Sequence, residues 1–97
     1  MSEKRVYDLH LRINNRLIRQ VIIDSHYELK HAKSINDDLI LDLVSLLNER
    51  SFDPEKTIGT FQYFKADPIF FNGLSYRLIW VLEENKLYVG VINAFRR

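Results

Sequence analysis

Residues 5–13, RVYDLHLRI, alternate between apolar and polar. Tyr7, Leu9, Leu11 and Ile13 fall on one side, and Asp8, His10 and Arg12 on the other. A period of two is the mark of a half-buried β-strand. Asn14-Asn15 follows as a tight turn, because Asn tolerates positive φ. Leu17 to Asp24 (LIRQVIID), rich in β-branched residues, supplies the second arm of a hairpin. The period then changes. From Ser34 onward, apolar residues recur at Leu39, Ile40, Leu43, Val44, Leu46 and Leu47, a helical spacing that predicts one amphipathic helix over about 35–50. The stretch Ser51-Phe52-Asp53-Pro54 ends it, since Pro cannot continue a helix.

The remainder reads as sheet. Thr57 to Lys65 (TIGTFQYFK) is aromatic and β-branched, and Asp67-Pro68 breaks it. Asn72-Gly73 is a turn signal before Leu74 to Leu82 (LSYRLIWVL), and the polar Glu83–Lys86 stretch precedes Leu87 to Phe95 (LYVGVINAF). These last two strands are apolar on both faces, as expected of central strands with a helix packed over one side. The predicted order is β-β-α-β-β-β: an α+β fold with an antiparallel sheet of about five strands. At 97 residues, the length leaves room for a single domain spanning 1–97, large enough to bury a core without metal or disulfide help.

Between the hairpin and the helix lies a segment of a different kind, Ser25-His26-Tyr27-Glu28-Leu29-Lys30-His31-Ala32. Ser25 with Glu28 three residues later has the form of a capping box, so one or two helical turns are expected here. In a helix, His26 and Lys30 share one face, and Tyr27 and His31 the adjacent one. An imidazole titrates near neutral pH and is the natural general acid or base. RNA cleavage by the 2′-hydroxyl requires a base for the hydroxyl proton, an acid for the leaving oxygen and a cation for the phosphorane charge. His26, Lys30 and His31 supply those group types. Two surface histidines are equally compatible with plain solvent-facing residues, and His10, on the polar side of its strand, reads as structural.

The chain ends Phe95-Arg96-Arg97, directly after a strand expected to be central, so these guanidinium groups have a defined place. Guanidinium binds phosphate through a planar fork. Arg77 in the neighbouring strand adds to such a patch, and Tyr63, Tyr76 and Tyr88 are candidates for stacking on bases.

Charge sharpens this picture. The chain carries +1 overall, yet Ser34 to Lys56 holds six acids and two bases, a net −4 that leaves +5 for the rest. A divided surface can present a polyanion site on its basic side, although acids also collect at helix N-termini and exposed helix faces. Asp37-Asp38 reads as helix N-terminal charge of that kind. There is no Cys, which removes disulfides, thiolate chemistry and Cys-ligated zinc, and which suits a reducing compartment such as the cytoplasm. Met-Ser-Glu-Lys-Arg at the start lacks the apolar stretch of a secretion signal, and no run is long enough to span a membrane. Metal-ligand spacing is missing a third ligand on the His26–His31 element, so neither a metal nor another cofactor is expected. Gly-rich phosphate loops, nucleophile elbows and zinc-finger spacings do not occur.

The layout resembles the small toxin nucleases of the barnase–EndoU–colicin–RelE-like class. The resemblance rests on SHYELKHA, then the helix SINDDLILDLVSLLNE, then a sheet ending in YRLIWVLEENKLYVGVINAFRR, and it covers about residues 21–97. It implies metal-independent endoribonuclease activity, with His26, Lys30, His31 and Arg96 as catalytic candidates. Tyr27, Tyr76, Arg77 and Arg97 become the candidates for substrate binding. It also implies two partners: RNA, and a neutralising antitoxin or immunity protein that protects the cell. The first hairpin stands where most RelE-like toxins carry helices, so free RNA or tRNA is as open a target as ribosome-bound message. The alternative is a non-catalytic protein-binding partner, such as an immunity or antitoxin-like regulator, using the acidic helix and aromatic sheet as an interface. A nucleic-acid-binding module without chemistry is a third. A nuclease of this kind requires Ser25–Ala32 to fold over the sheet so that its imidazoles face the arginines of the last strand.

Overall fold

The computed structural model describes residues 3–97; the first two residues of the Met-Ser-Glu-Lys-Arg start lie outside the described residues. Six strands form one mixed sheet: β1 (Lys4–Ile13), β2 (Arg16–Asp24), β3 (Lys56–Ile58), β4 (Phe61–Phe71), β5 (Leu74–Glu83) and β6 (Tyr88–Arg96), in the spatial order β1-β2-β6-β5-β4-β3. A 3₁₀ turn (Ser25–Tyr27) runs into the single helical turn α1 (Glu28–His31), and α2 spans Asp37–Ser45. The α+β class agrees with expectation. The strand number does not, because β3 is an additional short strand paired with Phe61–Tyr63.

Two further differences have clear causes. β4 runs through Asp67-Pro68 to Phe71, with a register shift between Ala66 and Ile69 where Asp67-Pro68 lies. β3 covers only the first three residues of β4, so from Phe64 onward β4 is an edge strand. Proline, which has no N–H to donate, is tolerated at an edge and at a bulge. The sheet is also not wholly antiparallel: β2 pairs with β6 in parallel, from Gln20↔Tyr88 to Ile23↔Val91. The direction of β6 follows from the succession of hairpins β3-β4-β5-β6, and its neighbour is decided by where the chain returns after α2. Neither is a local property of the two strands.

The turns follow their residues. Asn14 and Asn15 (φ 53° and 61°) close the β1–β2 hairpin, and Asn72-Gly73 (φ 52° and 78°) closes β4–β5, each a pair of left-handed residues suited to a twisted hairpin. α2 is capped by Asn36, whose side chain accepts from the Leu39 amide at 2.8 Å, rather than starting at Ser34. It buries Ile40, Leu43 and Val44, with Leu47 continuing the stripe one turn later. It stops sooner than expected. Leu46, Leu47 and Asn48 already bond three residues back, and Glu49 turns left-handed (φ 63°) ahead of Pro54.

α2 and the 46–55 connection cover one face of the sheet. There Trp80 and Phe64 stack at 5.4 Å, Phe52 meets the Trp80 ring edge-on at 5.0 Å, and Leu78, Leu82, Val89 and Val91 complete the core. The connection is pinned by Asn14, whose side chain accepts from the Phe52 amide (2.6 Å) and donates to the Phe52 carbonyl (3.0 Å). The opposite face carries Ile22, Phe61, Tyr63, Ile79, Val81 and Ile92, and the grooves these residues line include no helix residue. Nor is any helix of the described residues long and apolar enough to cross a membrane.

Candidate functional site

β6 is offset from its parallel partner, a strand of the same nine residues in length. Pairing with β2 ends at Val91, and β6 continues to Arg96. The 3₁₀ turn and α1 pack against β6. That placement is fixed where the chain leaves β2. Asp24, not Ser25, is the cap, its carboxylate accepting from the His26 amide at 2.9 Å. Ser25 instead ties the segment to the start of β1. Its amide donates to the Glu3 carbonyl, and its hydroxyl accepts from the Glu3 amide, both at 2.8 Å.

His31, at the end of α1, stacks on Phe95 of β6 with ring centroids 5.1 Å apart and planes 25° from parallel. The same phenyl ring carries a cation: Arg77 Cζ lies 5.0 Å from its centroid. Imidazole and guanidinium are therefore no farther apart than the sum of those two distances. Arg77 is oriented by Asp67, to which it donates from Nε at 2.7 Å and with which its Nη2 pairs at 2.5 Å. Arg97 joins the group. Its amide extends the ladder to the Ser75 carbonyl at 2.8 Å, and its Nε lies 3.0 Å from the other Asp67 oxygen. That contact is an ion pair without hydrogen-bond alignment, so this buried oxygen accepts no hydrogen bond. His31, Phe95, Arg77, Asp67 and Arg97 thus form one continuous cluster at the end of the sheet.

The other candidates sit elsewhere. Residues directly opposite in antiparallel strands share a face, so Arg96, opposite Tyr76, points away from the face of Phe95 and Arg77. Tyr76 is 4% exposed on the core side, leaving no ring surface for a base. His26 and Lys30 are exposed, with Lys30 adjacent to His31 on α1. Tyr63 is half-buried and carries Lys56 Nζ at 5.1 Å from its ring. Tyr88 donates to Glu83 at 2.6 Å; burial, helped by that carboxylate, pushes the phenol up to about 12.

Tyr27 is only 3% exposed, and its hydroxyl donates to Asp37 at 2.7 Å. Asp37 is the centre of a second polar group. Arg5 donates to it from Nε at 2.6 Å and from Nη2 at 2.8 Å, and the Tyr7 hydroxyl donates to it as well. The Arg5 hydrogen bonds, reinforced by both phenols, outweigh desolvation and hold the Asp37 carboxyl down at about 2. The phenol of Tyr27 is raised by burial first and Asp37 second, and that of Tyr7 by Asp37 first.

Asp37, Asp67 and Phe95 therefore matter more than their sequence context suggests. Asp37 reads as helix charge, Asp67 as a strand breaker and Phe95 as one more strand apolar residue. No local signal marks them, because each acquires its role from partners at least ten residues away in the chain. Among the described residues no three His, Asp or Glu side chains gather as a metal-binding group. The cluster brings two guanidinium groups, both paired with Asp67, and an imidazole to the same end of the sheet. Compared with protein-family models, with curated proteins and with solved structures, the chain matches none.

Proposed function

We propose that the protein is a metal-independent endoribonuclease of the toxin type, with its site at the C-terminal end of β6. The observation that carries this reading is the Phe95 ring, which contacts both the His31 imidazole and the Arg77 guanidinium. In the proposed reaction the scissile phosphate is held by Arg77 and Arg97, whose forks suit phosphate oxygens. His31 takes the proton of the 2′-hydroxyl as its oxygen attacks phosphorus. The bond from phosphorus to the 5′-oxygen breaks, and that oxygen receives a proton from His26. The products are a 2′,3′-cyclic phosphate and a free 5′-hydroxyl. Lys30, beside His31, offsets the charge of the phosphorane. Arg96, on the other face, has no role in this arrangement, and Tyr27 and Tyr76 act in the fold and not on substrate. A free nuclease would harm its own cell, so a neutralising protein that covers the basic end of β6 belongs to the proposal.

Expression from an inducible promoter, followed by an RNA integrity gel, tests it. Wild-type protein is expected to arrest growth and fragment RNA. His31→Ala is expected to cut the cleavage rate by roughly 10²- to 10⁴-fold, the usual worth of a positioned acid–base group. Harmless wild-type expression together with intact RNA beside purified protein would end the nuclease reading.

One observation favours the second reading, a non-catalytic binding partner. The face of the sheet away from α2 presents apolar side chains, and Ile22, Phe61, Val81 and Ile92 line a groove there. Under that reading, substitutions at Phe61 would abolish partner capture, and substitutions at His31 would not.

A further inference from the structure

α1 is a single turn with no buried side chain. Leu29, its apolar residue, is exposed, and Tyr27 is the one buried residue in the segment from Ser25 to His31. A turn this short is not stable by itself. Something outside it must keep Lys30 and His31 beside β6.

The structure assigns that task to Asp37: we infer that it is the positioning residue of the proposed site, acting on His31 through Tyr27 and Arg5. The inference rests on the nuclease reading only for its kinetic consequence. Asp37 heads the first turn of α2, immediately after the cap Asn36. Its two oxygens collect donors from two other parts of the chain: Arg5 and Tyr7 of β1, and Tyr27 of the 3₁₀ turn. Arg5 also reaches the first residue of α1, donating from Nη2 to Glu28 at 3.2 Å. The two residues at the junction of the 3₁₀ turn and α1 are thus both held, one directly by Asp37 and one through its arginine. Lys30 and His31 follow within the same turn. The Asp37 side chain is 15% exposed and that of Arg5 27%, so the pair is partly shielded from water and from screening salt. The charged group facing the carboxylate is Arg5, which also pairs with Glu28 and Glu3, and the remaining titratable ones are the phenols of Tyr7 and Tyr27. With its carboxyl held at about 2, Asp37 is charged throughout the neutral range.

The position of His31 can be read without any activity. Stacking on Phe95 places the imidazole protons in the ring current of the phenyl group and shifts them from their free values. Carbon–proton NMR spectra of the full chain, with Trp80 fluorescence as the check on folding, are compared for wild type, Asp37→Asn and Tyr27→Phe. Asp37→Asn removes the charge that holds Arg5, and Tyr27→Phe removes one donor while keeping the ring. Both are expected to move the His31 ring protons toward the position of those of exposed His26, Asp37→Asn further. In the same variants kcat on RNA is expected to fall by up to roughly 10²-fold, the cost of misplacing a reacting group by an ångström, with KM changed by less than about twofold. If Asp37→Asn fails to fold, Tyr27→Phe and Arg5→Lys carry the comparison. Folded variants whose His31 protons and kcat stay at the wild-type values would overturn the inference. Displaced His31 protons in a protein that leaves RNA intact would uphold the positioning role and remove the nuclease reading.

Discussion

Single side chains join parts of this chain that are far apart in sequence. Asn14 is an example. It takes the left-handed backbone conformation of a hairpin turn and also bonds both polar backbone groups of Phe52, which in turn packs against Trp80. Asn14→Ala is expected to cost about 1–3 kcal/mol, because it strips partners from two part-buried groups and puts a residue without an amide into a left-handed position. Urea unfolding followed by Trp80 fluorescence measures this; a loss below about 0.5 kcal/mol would show that the backbone bonds from Asn14 to Arg50 and from Glu49 to Arg12 suffice to hold the connection. Asp37 works the same way, with a charge. Its carboxyl is depressed from the ordinary 3.8 to about 2, so its contribution to stability is fully present above 3.8 and is lost as the pH falls through about 2. Between pH 4 and pH 2 the melting temperature of wild type should therefore fall more steeply than that of Asp37→Asn. Parallel curves for the two proteins would mean that the carboxylate is not the group being titrated.

At the scale of elements, the alternation of β6 decides which arginine belongs to the site. The last two residues are chemically identical and adjacent, yet the pleat sends Arg96 to the Tyr76 side, while Arg97 meets Asp67. Arg97→Ala is expected to weaken cleavage of RNA by roughly tenfold or more, the loss of one charge-assisted phosphate contact, and Arg96→Ala by less than about twofold. The reverse order would mean that the substrate approaches from the α2 side. Elements also show how far the sequence could be read. Hairpin β1–β2, the buried stripe of α2 and the turns at Asn14-Asn15 and Asn72-Gly73 follow from period and turn chemistry, which are local. The helical turns over Ser25–His31 follow as well, but their cap does not, because Asp24 takes the capping role and Ser25 is drawn away by Glu3. The full length of β4 did not either, because whether a proline breaks a strand depends on whether anything pairs with its outer side.

At the scale of the whole molecule, α2 lies on the core face of the sheet, and α1 and the charged cluster sit at the end where β6 runs past its pairing with β2. Outside Ser34–Lys56 the chain carries +5, and the proposed nuclease reading has an anionic polymer meet Arg77, Arg97 and Lys30. If those three groups each neutralise a phosphate, the logarithm of the affinity for a short single-stranded RNA should fall against the logarithm of salt concentration with a slope of roughly −2. Titrations at several salt concentrations with His31→Ala, which leaves the RNA uncut in the proposed mechanism, give that slope. A value near zero would point away from RNA and toward the apolar sheet face as the working surface.

The sequence by itself determined the class of fold, the position of the hairpins, the apolar stripe of α2 and the kinds of chemistry within reach, because each depends on residues a few positions apart. It also carried His31, Arg77 and Arg97 as candidates. Only the tertiary structure decided that β6 lies parallel to β2 and extends past it, that His31 rests on Phe95, and that Asp37 and Asp67 each gather charged partners from distant strands. These are encounters between segments separated by many residues, and the spacing of residues along a chain does not encode the order in which its strands come to lie side by side.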